Sequence, residues 1–325
     1  MSTILRAADI LATPPPSALP TGPQFPGLES MTWTDQGGTS WDMMGSTGVL
    51  LMATGTRGLG MPPVDRFSTG LAGLAGSRNT GYRVKERDVF WPLFLRSSLG
   101  SQAWLDLDTA FWAGMRPDWV GTWSVTHPNG SVRSLHCRYG TDNDPSFGTD
   151  PSLLGWALYG VNLVAEDPFW VGRTIGREFS PGGNSAAFLS SAGLWINRGD
   201  TTASASVTNL GDVDAWPIYT IFGPTTSVDI GVSGQLIQVH FVIPDGKAVI
   251  IDTDPLQRTA LEATASRDAT SNVLIATPTG VDLSSQLGQT PWAPIPTGTN
   301  VPLVISAVGT GVVRVEITTR YFRAW

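Results

Sequence analysis

The sequence predicts a mainly β protein, and three observations lead there. Gly (37) and Pro (24) are frequent and scattered along the 325 residues, which breaks the chain into short segments joined by turns. Charged residues are only 14% of the chain, well below the usual quarter, so Ser, Thr, Gly and Asn must cover much of the surface. Short runs rich in Val, Ile, Thr and aromatic residues recur at regular spacing, and a single stretch carries a helical period. The length is a prior for two domains and is enough to bury a core without disulfides or metals.

Residues 12–27 hold Pro14, Pro15, Pro16, Pro20, Pro23 and Pro26 and read as an extended arm, partly polyproline II. Within Trp33–Met52, Asp35–Gly38 is a turn signal between two short strands. Gly55–Gly76 reads as a nearly irregular Gly-rich loop, long for a plain connection. Tyr82–Leu95 reads as one strand, with Pro92 arguing for a bulge or an edge position. Ser101–Met115 is the helix: Trp104, Leu107, Phe111 and Met115 form one apolar stripe, Ser101 is the expected cap and Pro117 the expected stop. Asp106 and Asp108 fall in its early turns, where the helix dipole favours acids. Thr122–Thr126 and Val132–Tyr139 form a hairpin through His127-Pro128-Asn129-Gly130, Asn-Gly being the strongest short-range hairpin signal. Trp156–Glu166 is the last strand of this half.

The boundary is placed at Trp170, giving domains 1–170 and 171–325, with Val171–Ser185 as a linker. Strands are then expected near Ala187–Ile196, Ala203–Thr208, Trp216–Phe222, Ser227–Val232, Leu236–Ile243, Ala248–Asp252, Asn272–Ala276, Pro302–Val308 and Val312–Tyr321. Regular short strands with turn punctuation suggest a β-sandwich or jelly roll. Thr277–Pro302 reads as one long surface loop.

Nine of the 13 Trp lie at or before Trp170, and such rings serve both cores and interfaces. The formal net charge is −7 and neither half is basic, so the footprint of a nucleic-acid-binding module is missing. A lone cysteine, Cys137, allows no internal disulfide and suits a reducing cytoplasm. The opening MSTILRAADILATPPP lacks the long apolar run of a secretory signal, and Val49–Ala53 is too short to cross a bilayer.

Candidate chemistry is sparse. His127, His136 and His240 are not at metal-ligand spacing from one another or from Cys137. The pair Asp252 and Asp254 could do acid–base work, but solvated acids in a turn are the simpler reading. TGTRGLG within Gly55–Gly76 lacks the Gly-Lys-Ser/Thr ending of a phosphate loop. No catalytic residue, metal site or cofactor is therefore expected, and the chain is expected not to be an enzyme. Trp195, Trp216 and Tyr219 could stack on a sugar ring, although aromatic residues in sandwiches more often serve the core.

The ordered series of fragments resembles the siphovirus distal tail protein family. In the first half these are WLDLDTAFWAGMRP, the hairpin GTWSVTHPNGSVRSLHCRYG with Asn129 and Gly130, and VNLVAEDPFW with Asp167, Pro168 and Trp170. In the second they are VTNLGDVDAWPIYTIFGP with Asn209, Gly211 and Pro217, then GKAVIIDTDP and VRVEITTRYFRAW. The resemblance implies a ring-forming (belt) domain followed by a galectin-like sandwich. It also implies a hexameric ring that joins the phage tail tube to the tail-tip or baseplate hub. The implied partners are further copies of the chain, the tube and tape-measure proteins and the hub or fibre proteins, without specific nucleic-acid binding or membrane insertion. The implied location is the virion tail tip, after assembly in the host cytoplasm. The alternative is a carbohydrate- or host-binding module of the tail tip, resting on the sandwich.

Overall fold

A computed structural model describes residues 24–325 apart from 71, 72, 74, 143, 144 and 181–204. The arm up to residue 23, the expected strand Ala187–Ile196 and Trp195 lie outside these residues. The chain is mainly β and divides into two units. Unit 1 is Met1–Val171 with Phe322–Trp325, and unit 2 is Gly172–Tyr321. The break falls one residue past the expected boundary, and four C-terminal residues assigned to the second domain belong to the first.

In unit 1, β1 (Ser30–Thr34) pairs with β2 (Ser40–Asp42) and with β7 (Val120–Thr126), aligning Trp33 with Trp41 and with Trp123. The hairpin β7–β8 (Val132–Asp142) forms as the Asn-Gly turn predicts. Next come β9 (Trp156–Ala165), β6 (Arg87–Arg96) and the short β3 (Val49–Leu51). The run bends back on itself, because the Leu51 N–H donates to the Met43 carbonyl just past β2 (2.8 Å). Alternate residues of these strands point into the enclosed space, as the period of two requires. The largest of them form an indole chain. Ring centroids lie 5.1 Å apart for Trp33–Trp91, 5.2 Å for Trp91–Trp123 and 5.1 Å for Trp123–Trp170. Gly121 makes room for this chain, since a Cβ there would sit 2.1 Å from the Trp33 ring. Gly121→Ala is expected to cost about 1–3 kcal/mol by overpacking. A denaturation midpoint equal to wild type would show that Trp33 yields freely.

Pro92 is neither at an edge nor at a bulge. It lies inside β6, opposite Gly160 in an unbroken register. Its carbonyl accepts from Met52 N–H, one residue beyond the end of β3. Backbone N and C=O of one strand residue face the same side, so the missing N–H falls where β3 has already stopped. The helix α1 spans Ser101–Ala113. Gly100 caps it, not Ser101, without a side-chain bond. It ends at Gly114, before Pro117, and no acid lies in its first turn. Trp104 and Phe111 are buried, Phe111 edge-on to Trp41. Tyr159 Oη on β9 donates to Asp108 Oδ1 at 2.6 Å, and burial together with that carboxylate raises the phenol pKa. A four-residue helix, α2 (Pro151–Leu154), packs on α1.

The Gly55–Gly76 stretch is not irregular throughout. It contains β4 (Val64–Thr69), paired with β5 (Arg78–Val84) as a separate two-stranded ribbon. The strand expected at Tyr82–Leu95 is thus two strands, β5 and β6, belonging to different sheets.

Unit 2 is a sandwich. One layer carries β10 (Trp170–Phe179, from Gly172 on), β19 (Val313–Tyr321), β12 (Ile218–Phe222), β15 (Lys247–Asp252), β16 (Thr259–Arg267) and β17 (Leu274–Asp282). The other carries β11 (Ser206–Asn209), β18 (Gly298–Gly309), β13 (Thr225–Val232) and β14 (Gln235–Val239). Tyr219, Ile221, Val249 and Val315 meet Val228, Ile230, Val239 and Ile305 between them. Three expectations change here. The linker Val171–Ser185 is mostly β10, β16 was not foreseen, and the loop Thr277–Pro302 contains the end of β17, the buried Ile295 and the start of β18.

Candidate assembly surfaces and the buried arginine

Arg87 opens β6 and is only 2% exposed. Its Nε donates to the Pro168 carbonyl at 2.8 Å. Its Nη1 donates to the carbonyls of Gly58 at 2.7 Å and Gly60 at 2.5 Å, and Nη2 to that of Phe322 at 2.8 Å. Burial pulls its pKa down to about 10, so the guanidinium stays charged at neutral pH. One cation thereby ties three separate stretches of unit 1. Further bonds anchor Phe322–Trp325: Ala324 N–H donates to the Leu59 carbonyl (2.9 Å), and Arg133 Nη1 to that of Arg323 (2.8 Å). His127 Nε2 lies 2.8 Å from the Ala324 carbonyl.

This network locates the first group of residues singled out from sequence. Asp167 turns the chain by accepting the Phe169 N–H (3.3 Å), Pro168 supplies a carbonyl to Arg87, and Trp170 donates Nε1 to Gly58 (3.2 Å). Asn129 Oδ1 accepts from the Ser131 N–H (3.0 Å), and Gly130 has φ +77°. Gly130→Val is expected to cost more than about 1 kcal/mol, because β-branched residues avoid positive φ. Thermal melting of the variant measures this, and an unchanged Tm would contradict it. In unit 2, the buried Asn209 donates Nδ2 to Val213 and Ile295 carbonyls (both 3.1 Å) and accepts the Gly211 N–H (3.0 Å). Gly211 is required by close approach, since a Cβ would lie 2.6 Å from the Arg320 carbonyl. The Pro217 carbonyl accepts from Thr253 Oγ1 (2.7 Å). These are scaffold roles.

Of the three residues suggested for sugar stacking, Trp216 and Tyr219 are described. Tyr219 is 1% exposed and lies in the sandwich core, so no ligand reaches its ring. Trp216 is half-buried and Trp195 is not among the described residues. The other chemical candidates also have structural explanations. Gly58 and Gly60 of TGTRGLG aim carbonyls at a cation, the opposite polarity from a phosphate cradle. Asp252 accepts the Asp254 N–H and Asp254 the Leu256 N–H, both at 2.9 Å, as turn acids do. Cys137 is buried, and burial pushes its thiol pKa up. Among the described residues no group of three or more His, Cys, Asp or Glu could hold a metal.

Two surfaces of unit 1 remain without an intramolecular explanation. Every residue of β4, and nearly all of β5, is exposed or close to it, with Phe67 at 53% and Tyr82 at 60%. An isolated two-stranded ribbon is marginal in water. On the helices and in the turn leading into α1, Leu99 (85%) and Leu153 (76%) are exposed together with Leu105 and Leu154. They share one region, because Ser97 N–H donates to the Gly155 carbonyl (2.8 Å) and α1 packs on α2. Neither surface was anticipated from the sequence, although YRVK and SLLG hold the relevant residues. Arg87 was missed as well, and its signal was a lone arginine heading an apolar strand.

No family model and no curated protein sequence matches the chain. Solved structures do. The crystal structure of the Dit protein of phage SPP1, described as a paradigm of the hub adsorption apparatus in phages infecting Gram-positive bacteria, matches at a TM-score of 0.59. The match has 14% identity and covers 89% of this chain and 98% of that one. A chain of the phage P2 baseplate in its activated conformation matches at a TM-score of 0.48 with 9% identity, covering 89% and 98%. The chain therefore shares the fold of the SPP1 Dit protein over 89% of its own length.

Proposed function

We propose that the chain is a structural component of a phage tail tip, a distal-tail-type protein that assembles into a hexameric ring joining the tail tube to the hub. The observation that carries this reading is the extent of the SPP1 Dit likeness, which takes in nearly all of that chain and both units of this one. The exposed apolar surfaces of unit 1 support it, since such patches mark protein contacts. The partners are further copies of the chain, the tube and tape-measure proteins and the hub. The role is positional and requires no catalysis, and its place is the virion tail tip. Light scattering and native mass spectrometry on the full chain test the reading: a closed oligomer is expected at micromolar concentration, and a stable monomer would overturn it.

A further inference from the structure

The two exposed surfaces of unit 1 carry opposite charge. The ribbon segment Met61–Lys85 holds Arg66, Arg78, Arg83 and Lys85 against one acid, Asp65. Lys85 lies 3.9 Å from Asp65, whereas Arg66, Arg78 and Arg83 have no acidic partner among the described residues. The helical surface is the reverse. Ser97–Met115 contains Asp106 and Asp108 and no Lys, Arg or His, and the described residues of Thr141–Gly155 contain Asp142 and Asp150 and again no base. Arg96 and Arg116 stand at its borders, the latter paired with Asp118 at 2.9 Å. A basic ribbon, with Arg66 beside Tyr82 on one face and Arg83 beside Phe67 on the other, thus complements an acidic surface carrying exposed leucines, and both belong to one chain with a net charge of −7.

We infer that the β4–β5 ribbon of one copy docks on the α1–α2 surface of the next copy. This deepens the ring reading and rests on it. Two different complementary surfaces on one subunit make a heterologous contact, which closes into a ring where the rotation allows. Like meets unlike only in the head-to-tail direction, because ribbon against ribbon or helices against helices would juxtapose equal charges. The buried leucines and aromatic rings supply the area, and the charges set register and direction.

Charge reversal in the full chain tests the pairing. R66E/R83E and D106K/T109K alter exposed positions, so far-UV CD and Tm should match wild type. Each variant alone should need about ten-fold more protein to half-assemble at low salt, a shift equal to about 1.4 kcal/mol. An equimolar mixture should recover assembly, with the two variants alternating around the oligomer, since each reversed surface then meets its complement. L99S/L153S should weaken assembly at high salt too, where charge is screened. If either charge variant assembles like wild type, or if the mixture stays as weak as its parts, the docking inference fails while the ring reading stands. A wild-type chain that remains monomeric would overturn both.

Discussion

Arg87→Met should unfold unit 1 at a denaturant concentration well below wild type. The substitution keeps the length of the side chain and removes the donors to Pro168, Gly58, Gly60 and Phe322. Hydrogen bonds to charged groups contribute about 1.5–3 kcal/mol each, and buried acceptors left unpaired cost about 1–3 kcal/mol. Water will reach some of the freed carbonyls, so a net loss of about 3–5 kcal/mol is expected. That is a large share of the roughly 5–15 kcal/mol that holds a domain folded. Urea denaturation followed by tryptophan fluorescence measures it. A shift within about 0.5 kcal/mol, as for an ordinary surface change, would show that the guanidinium is dispensable.

Trp91→Ala should cost about as much, roughly 3–5 kcal/mol, because it removes the middle of the indole chain and leaves a cavity. Trp91 touches Trp33 on one side and Trp123 on the other and has no exposed surface. Its Nε1 is buried without a hydrogen-bond partner among the described residues, so the native state carries the cost of an unmet donor. Trp91→Phe discards that donor with part of the ring and should therefore cost clearly less than the alanine variant. Equal losses for the two would show that a phenyl ring at this position restores none of the packing that the indole supplies.

Much of the fold was legible in the sequence where a local signal and the tertiary context agreed. The Trp104–Phe111 stripe located α1, and Asn129-Gly130 located the β7–β8 turn. The misses share a cause. β10 read as a linker because of its glycines, yet Gly172 is there because a Cβ would sit 2.6 Å from Thr319 Oγ1 and from the Tyr321 ring. β16, TALEATASR, pairs along its length with β15 and β17 while offering mostly small and polar residues, so no apolar alternation marks it. β4 and β5 bury almost nothing, and hydrophobic periodicity is blind to a strand with no buried face. The candidate surfaces were harder still. The leucines of α1 and α2 are more than 40 residues apart in sequence and become one patch only through the helix–helix contact. The role of Arg87 depends on Phe322, which is 235 residues away.

That last separation bears on how the chain is made. Chains are synthesised from the N-terminus, at about 5–20 residues per second, and early domains generally fold first. Residues 24–171 leave the ribosome long before Phe322–Trp325, which follow all of unit 2. Until then Arg87 lacks its Phe322 acceptor, and His127, Arg133 and the Leu59 carbonyl lack their partners in the last residues. Unit 1 must wait in an incomplete form while unit 2 is translated, and it reaches full stability only once Phe322–Trp325 have been made. Nascent chains arrested with Tyr321 just outside the exit tunnel should show unit 1 more open to protease than chains arrested with Trp325 outside. Equal protection at the two lengths would show that the first unit is complete without its final lashing.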